Sequence, residues 1–474
     1  MSSTNRNAAT ARSTHSIVSS SHSSLRESAT DTSGFREGTR TQPLYSHRSL
    51  KGSLGSLYSL ERHRQRISQD ANLGSQSLLS EWQYVLGSGE RSSTVPSAAG
   101  IDKASVSGVS HATRRTVRGG YREPTFQGVF RPKFIKREQS EVFSLKFSPD
   151  DEYIAAALGN SNIQIYSTSS NEMVRTLVPP FESGASVFPC TTVMFRPDSS
   201  GYKNKNVLVA GYADGRIIHW HFTSGQVIST IQEEDLQINS IAYQNKPDGF
   251  PGQFFAACAS DPVIRVYDAQ NHKKVYEMSG GQGFESAGHS SRVFASKFHP
   301  TDQNILISGG WDNTVQVWDL RVAHSIRSIY GPHICGTDAL DFNGPGTEIL
   351  TASFSKTDQL QTWDYSSGQL IETIPWSIME GEKRDSLLYS ASFGRCGKSG
   401  GAQYVVAGGC GPNNEVKMFN LQTKRAIGVA QGFSHSVYSV ALSHNEKMVA
   451  AGGSFKAVYA YDVDYSQQTN ELIY

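Results

Sequence analysis

The chain has 474 residues, 37% of them hydrophobic, with 44 Lys and Arg against 43 Asp and Glu, enough apolar sequence for one large domain beside a portion that does not pack. The near-neutral total hides an asymmetry: residues 1–120 hold 27 Ser, 15 basic and 8 acidic residues, a net +7, while the remainder carries 29 basic against 35 acidic residues, a net −6. The longest apolar runs, such as "FFAACA", are strand-sized, which excludes a membrane-spanning helix, and five scattered cysteines without CxxC or metal-ligand spacing exclude a thiolate metal site.

In chain order, residues 1–120 read as a Ser-rich, basic, disordered tail. Its polar start, "MSSTNRNAATARSTHSIVSS", carries no secretory signal, and the odd cysteine count fits a reducing compartment, so a cytoplasmic protein is expected, with nuclear or cytoskeletal association left open. Leu50, Leu54, Leu57 and Leu60 recur at helical spacing, as do Leu79, Trp82 and Leu86. Either run could become a docking helix on a partner or be chance periodicity, and Gly52 and Gly55 oppose a stable free helix in the first. Arg62, Arg64, Arg66, Arg114, Arg115 and Arg118 offer charge to an anionic surface such as an acidic cytoskeletal one, whereas a nucleic-acid partner is not expected. Ser68 in "RQRIS" and Thr116 in "RRT" resemble basophilic kinase sites.

From residue 121 to 465 the pattern is all β. "TFQGVFRPKFIKRE", Thr125–Glu138, is a strand-like run with no partner in its own neighbourhood. After it an apolar strand, a turn, a small-residue strand, a polar turn and an alternating strand ending in an aromatic recur seven times. The third strands end at Tyr166, Trp220, Tyr267, Trp318, Trp363, Phe419 and Tyr461, 42 to 56 residues apart. Short strands at that period predict a propeller of radially arranged sheets rather than a sandwich. Five of these aromatics follow a turn-forming Asn160, Asp214, Asp261, Asp312 or Asn413 by six residues; the fifth and seventh units break the rule. The last unit, "AVYAYDV", lacks an outer strand, and Thr125–Glu138 is expected to supply it and close the ring, with Pro132 tolerated on an outermost strand; residues 466–474 are a short polar tail.

The unit "GHSSRVFASKFHPTDQNILISGGWDNTVQVWD" resembles the WD40 repeat family, and the resemblance covers about residues 124–465. It implies a seven-bladed WD40 β-propeller in which His289, Ser308, Asp312 and Trp318 form a structural hydrogen-bond network in the fourth blade. "WDLR", Trp318–Arg321, also resembles the WDxR box by which substrate receptors dock on a cullin-RING ligase adaptor, although "WDYS" in the fifth unit has no second copy and a surface Arg321 more commonly makes a local ion pair.

No P-loop, nucleophile elbow, HExxH or GxGxxG element stands in a suitable context, so catalysis, cofactor and metal sites are not expected. Tyr212, Trp311, Phe354 and Phe455 stand at or beside the turn between second and third strands in four units, where each could pack on its own loop or anchor a partner; together they favour a binding face. The expected function is a non-enzymatic scaffold binding other proteins through that face, with the tail as tether or phospho-regulated arm. A cullin-ligase substrate receptor is the alternative, and an enzyme with a central-channel site the third.

Overall fold

A computed structural model describes residues 123–180, 186–197, 206–244, 252–280, 288–376, 386–395 and 402–467. The leucine runs, arginines and phosphorylation motifs of residues 1–120, and Cys396, lie outside them. The described residues form seven antiparallel sheets, each the blade of one propeller. From the axis outwards blade one runs Val142–Phe147, Tyr153–Leu158, Ile163–Ser167 and Met173–Leu177. The innermost strands of blades two to seven are Cys190–Phe195, Ile238–Tyr243, Val293–Phe298, Leu340–Phe342, Leu387–Phe393 and Val437–Leu442. The aromatics that end the third strands are all buried in the gaps between blades. Among the described residues no helix is long and apolar enough to cross a membrane.

Thr125–Glu138 makes two strands rather than one. Phe130–Arg137 pairs with Ala457–Val463 as the outer strand of blade seven, and Thr125–Gly128 pairs with Arg425–Gln431 as a fifth strand on blade six. Gly128, at φ 68°, turns the chain between the two blades, a conformation that costs a residue without Cβ little. The register slips between Pro132 and Phe134, so the proline, which has no N–H to give, sits at an irregularity of an outermost strand.

The inner edges of neighbouring blades are stitched by hydroxyls. Leu145 N–H donates to Ser439 Oγ at 3.0 Å across blades one and seven, Val440 N–H to Ser390 Oγ at 3.0 Å across seven and six, and Ser296 N–H to Ser240 Oγ at 3.1 Å across four and three. A buried backbone donor must find a partner, and small hydroxyl side chains supply one without widening the ring. At the outer edge all seven blades bulge at the same place in the strand outside the third, and in five of them the bulged residue is an exposed aliphatic: Val174, Ile228, Val275, Ile326 and Ile371. Such bulges twist an open edge away from further strand pairing.

Candidate functional site: an aromatic arc at the mouth of the channel

Blade four carries a continuous chain of buried hydrogen bonds. Trp318 Nε1–H donates to Ser308 Oγ at 2.7 Å, Ser308 Oγ meets His289 Nε2 at 2.7 Å, and His289 Nδ1 meets Asp312 Oδ2 at 2.8 Å. Asp312 also accepts Ser290 N–H at 2.9 Å and, from the turn it opens, Thr314 N–H at 3.1 Å and the Thr314 hydroxyl at 2.8 Å. Burial alone would raise the Asp312 carboxyl, but the His289 bond, helped by the Ser290 and Thr314 donors, holds it below the usual carboxylate value. The proton order that satisfies every atom is indole to serine, serine to histidine, histidine to aspartate. The order of groups is that of a nucleophilic triad, but Ser308 is fully buried and already accepts the indole proton, so no substrate can reach it.

Blades one and three reach the same end with other atoms. Glu138 stands four residues before Val142, as His289 does before Val293, and takes a hydrogen bond from Tyr166 Oη; Glu233 accepts from Tyr267 Oη at 2.9 Å. Ala156 and Ala257 pair with Gln164 and Arg265 where Ser308 pairs with Gln316, so the space of the serine hydroxyl goes to the longer reach of a phenol. Blade five keeps half the network, with Trp363 Nε1–H donating to Thr351 Oγ1 at 3.0 Å, while His333 turns to Asn313 of blade four at 2.5 Å.

The rim aromatics divide. Tyr212 is no surface anchor: it ends its strand inside the core between blades one and two, with the Arg216 guanidinium 5.2 Å from its ring centre. Phe455 is buried as well, stacked on Phe433 at 4.9 Å and edge-on to Tyr459 at 5.5 Å. In both, strand alternation or a neighbouring aromatic draws the ring inwards. Trp311 and Phe354 are half-buried and lie on a larger feature.

That feature grows from a bulge near the start of the first strand, where one residue escapes alternation and turns towards the mouth of the channel. The bulged residues are Phe143, Thr191, Asn239, Phe294, Tyr389 and Tyr438 in blades one, two, three, four, six and seven. Phe143 stacks on Tyr438 at 5.8 Å and 7°, Tyr438 meets Tyr389 edge-on at 5.5 Å, and Tyr389 meets Phe354 at 4.9 Å. Trp311 stacks on Phe294 at 5.3 Å beneath the Arg292 guanidinium and, with Phe354, packs against buried Cys335 and Cys410. Burial pushes the Cys335 thiol up to about 12, so it is a small apolar spacer at neutral pH. The result is an arc over blades four, five, six, seven and one, with Phe143, Trp311 and Phe354 partly open to solvent. The sequence does hold its signal, in an aromatic followed by a small residue in "VFSLKF", "VFASKF", "LYSASF" and "VYSVAL", but that pattern reads first as ordinary strand.

Arg321 stands in the turn after the third strand of blade four, away from the arc, where its Nε–H donates to Asp319 Oδ1 at 2.9 Å while the side chain remains exposed. The free thiols Cys190, Cys258, Cys335 and Cys410 are all buried, and no group of metal-ligating side chains is assembled among the described residues.

Seven sheets around one axis, with an indole-to-carboxylate network fastening the fourth, define a WD40-repeat β-propeller. The family description "WD domain, G-beta repeat" matches residues 132–167 and 282–319, and the chain is a WD-repeat protein. It is 24% identical over 237 residues to Cell division cycle 20.1, cofactor of APC complex, of Arabidopsis thaliana, a match covering 49% of this chain and 47% of the relative. It is 30% identical over 197 residues to the Target of rapamycin complex subunit wat1 of Schizosaccharomyces pombe, covering 40% and 57% respectively. With the WD repeat-containing protein slp1 of the same yeast it shares 23% over 241 residues, covering 50% and 43%. The chain thus spans about half the length of the curated relatives it matches.

Proposed function

We propose that this chain is a non-enzymatic scaffold that recruits partner proteins through the aromatic arc, with residues 1–120 as tether or phospho-regulated arm. The observation that carries the reading is the continuity of the arc: rings from five adjacent blades meet at one rim, and three stay partly open to solvent. Rigid aromatics held by their neighbours lose little freedom on binding, which is what an anchoring surface needs. Two relatives are named as a cofactor of one complex and a subunit of another, in keeping with a propeller that works inside assemblies. The cullin-receptor alternative rests on Arg321, which is exposed but already paired with Asp319. The reduced, buried thiols suit a cytoplasmic or nuclear setting.

The test is quantitative capture of proteins from a lysate by the wild type, Phe143→Ser, Phe354→Ala, Arg321→Ala and a chain lacking residues 1–120, each first checked for its melting temperature. A partner held by the arc should weaken by about 2 kcal/mol or more with Phe143→Ser or Phe354→Ala and hold its affinity with Arg321→Ala. Partners kept by both arc variants and lost with Arg321→Ala would replace this reading with the ligase receptor. Partners lost only with the tail would move recognition off the propeller.

A further inference from the structure

At the end of the channel opposite the arc, the seven first strands enclose a cavity of about 500 Å³. The arc uses residues that open those strands, such as Phe143 and Tyr438; the cavity uses residues near their ends, among them Phe147, Phe195, Tyr243 and Leu442. Blade five reaches across to line it. Gly336 lies so close to the Tyr389 carbonyl that a Cβ would stand 1.8 Å away, and the residues that follow leave their own blade. The Thr337 hydroxyl donates to Thr192 Oγ1 of blade two at 3.2 Å, and Asp338 accepts the Ser439 hydroxyl of blade seven at 2.9 Å and pairs with Lys146 of blade one.

The charges in this cavity do not balance. Lys146, Lys297 and Arg395 line it against Asp338 and Asp341, and Asp338 is taken by Lys146. Asp341 is buried and shared: Lys297 Nζ lies at 3.0 Å, the Ser392 hydroxyl at 3.2 Å, Phe393 N–H at 3.0 Å, and Arg395 only at 3.8 Å, too far for a hydrogen bond. His444, also in the lining, is held by Asp151 at 2.9 Å. Among the described residues one positive charge is left over, and it falls on Arg395, whose side chain is 40% exposed and has its planar set of donors at the cavity wall. The rest of the wall includes Met194, Ile241, Leu340 and Leu442. A guanidinium with donors to spare, beside an ammonium and facing apolar side chains in a partly enclosed space, is complementary to an anionic head on an apolar body.

We propose that the cavity binds a small organic anion, its phosphate or carboxylate head set against Arg395 and Lys297 and its apolar body against Met194 and Leu442. The site is proposed for binding, and it is built near the ends of the first strands where the arc is built from their starts.

The test is isothermal titration of the purified full chain, at fixed ionic strength, with inorganic phosphate, phenyl phosphate and benzoate. Saturable one-to-one binding is expected, with phenyl phosphate tighter than phosphate because it alone adds an apolar body; phenyl phosphate against benzoate identifies the head group. Arg395→Gln should weaken every ligand that binds by about tenfold or more, and Arg425→Gln, on the outer strand of blade six, should change nothing. If Arg395→Gln does not fold, Arg395→Lys serves: it keeps the charge, loses the fork, and should bind more weakly than the wild type with an unchanged melting temperature. Absence of saturable binding of all three probes, wild-type affinity in the folded Arg395 variant, or phenyl phosphate no tighter than phosphate would each overturn the proposal.

Discussion

In blade four the loop before the first strand is fastened through His289, Asp312 and Ser308 to an indole, whereas in blades one and three Glu138 or Glu233 fastens the corresponding loop directly to a phenol. The long chain has three side-chain links; the short one has a single link from carboxyl to phenol, and in blade three the Glu233 carboxylate is also paired with Lys274 at 2.9 Å and Arg265 at 3.2 Å. Each holds an aromatic at the end of the third strand and a loop at the start of the first, so the fold demands the span and not the residues. In blade one the shortcut makes the link depend on the ionisation of the Glu138 carboxyl, which burial raises, whereas in blade four several donors hold the aspartate below its usual value.

The comparison can be broken most severely at the aromatic end. Trp318 is fully buried between blades, and Trp318→Ala should cost about 3–5 kcal/mol, from the cavity it leaves and from the indole donor that Ser308 Oγ loses, read as a fall in the denaturant midpoint. Asp312→Ala removes no core volume of that size but leaves His289 Nδ1–H and Thr314 N–H without their acceptor, at about 1–3 kcal/mol. Should Asp312→Ala melt with the wild type, the network would not be what fastens blade four.

How much of this was legible depended on whether a role belongs to a residue type or to a place. The period of third-strand aromatics announced the propeller, because each blade must fill the gap to its neighbour with a large ring. The blade-four bonds could be read from family resemblance because His289, Ser308, Asp312 and Trp318 keep the family's residue types. Glu138 and Glu233 were passed over, since a glutamate in a loop reads as solvated until a phenol is brought to it by pairing across 28 or 34 residues. Tyr212 was misjudged by one position of strand alternation, and the arc was missed because a bulge is a backbone irregularity that composition does not record. The 125–138 run was read as a single strand; Gly128 is where it divides.

The finest test of the difference between the blades is pH. Burial pushes the Glu138 carboxyl from 4.5 up to about 7, with the Tyr166 hydroxyl as its partner. A folded-state value above the unfolded one means that the protein binds a proton on folding through this window. The contribution of Glu138 is therefore fully present below about pH 4.5 and is lost as the pH rises towards 7. Glu138→Gln keeps an oxygen for the Tyr166 hydroxyl and removes the ionisation, so its stability should lack that decline. The two proteins should match near pH 4.5 and separate by about 1 kcal/mol in favour of the variant by pH 8, a figure kept small by the half-exposed position and solvent screening. In blade four the sign is opposite: the lowered Asp312 carboxyl contributes stability that is present above 3.8 and lost as the pH falls through its folded value. Parallel denaturation curves of the wild type, Glu138→Gln and Asp312→Ala across pH 3 to 8 would separate the two, with Glu138→Gln differing from the wild type at the neutral end and Asp312→Ala changing its slope at the acid end. Parallel slopes for the wild type and Glu138→Gln between pH 4.5 and 7 would show that the Tyr166 link does not depend on the charge of its carboxyl, and the two kinds of blade would then differ only in length.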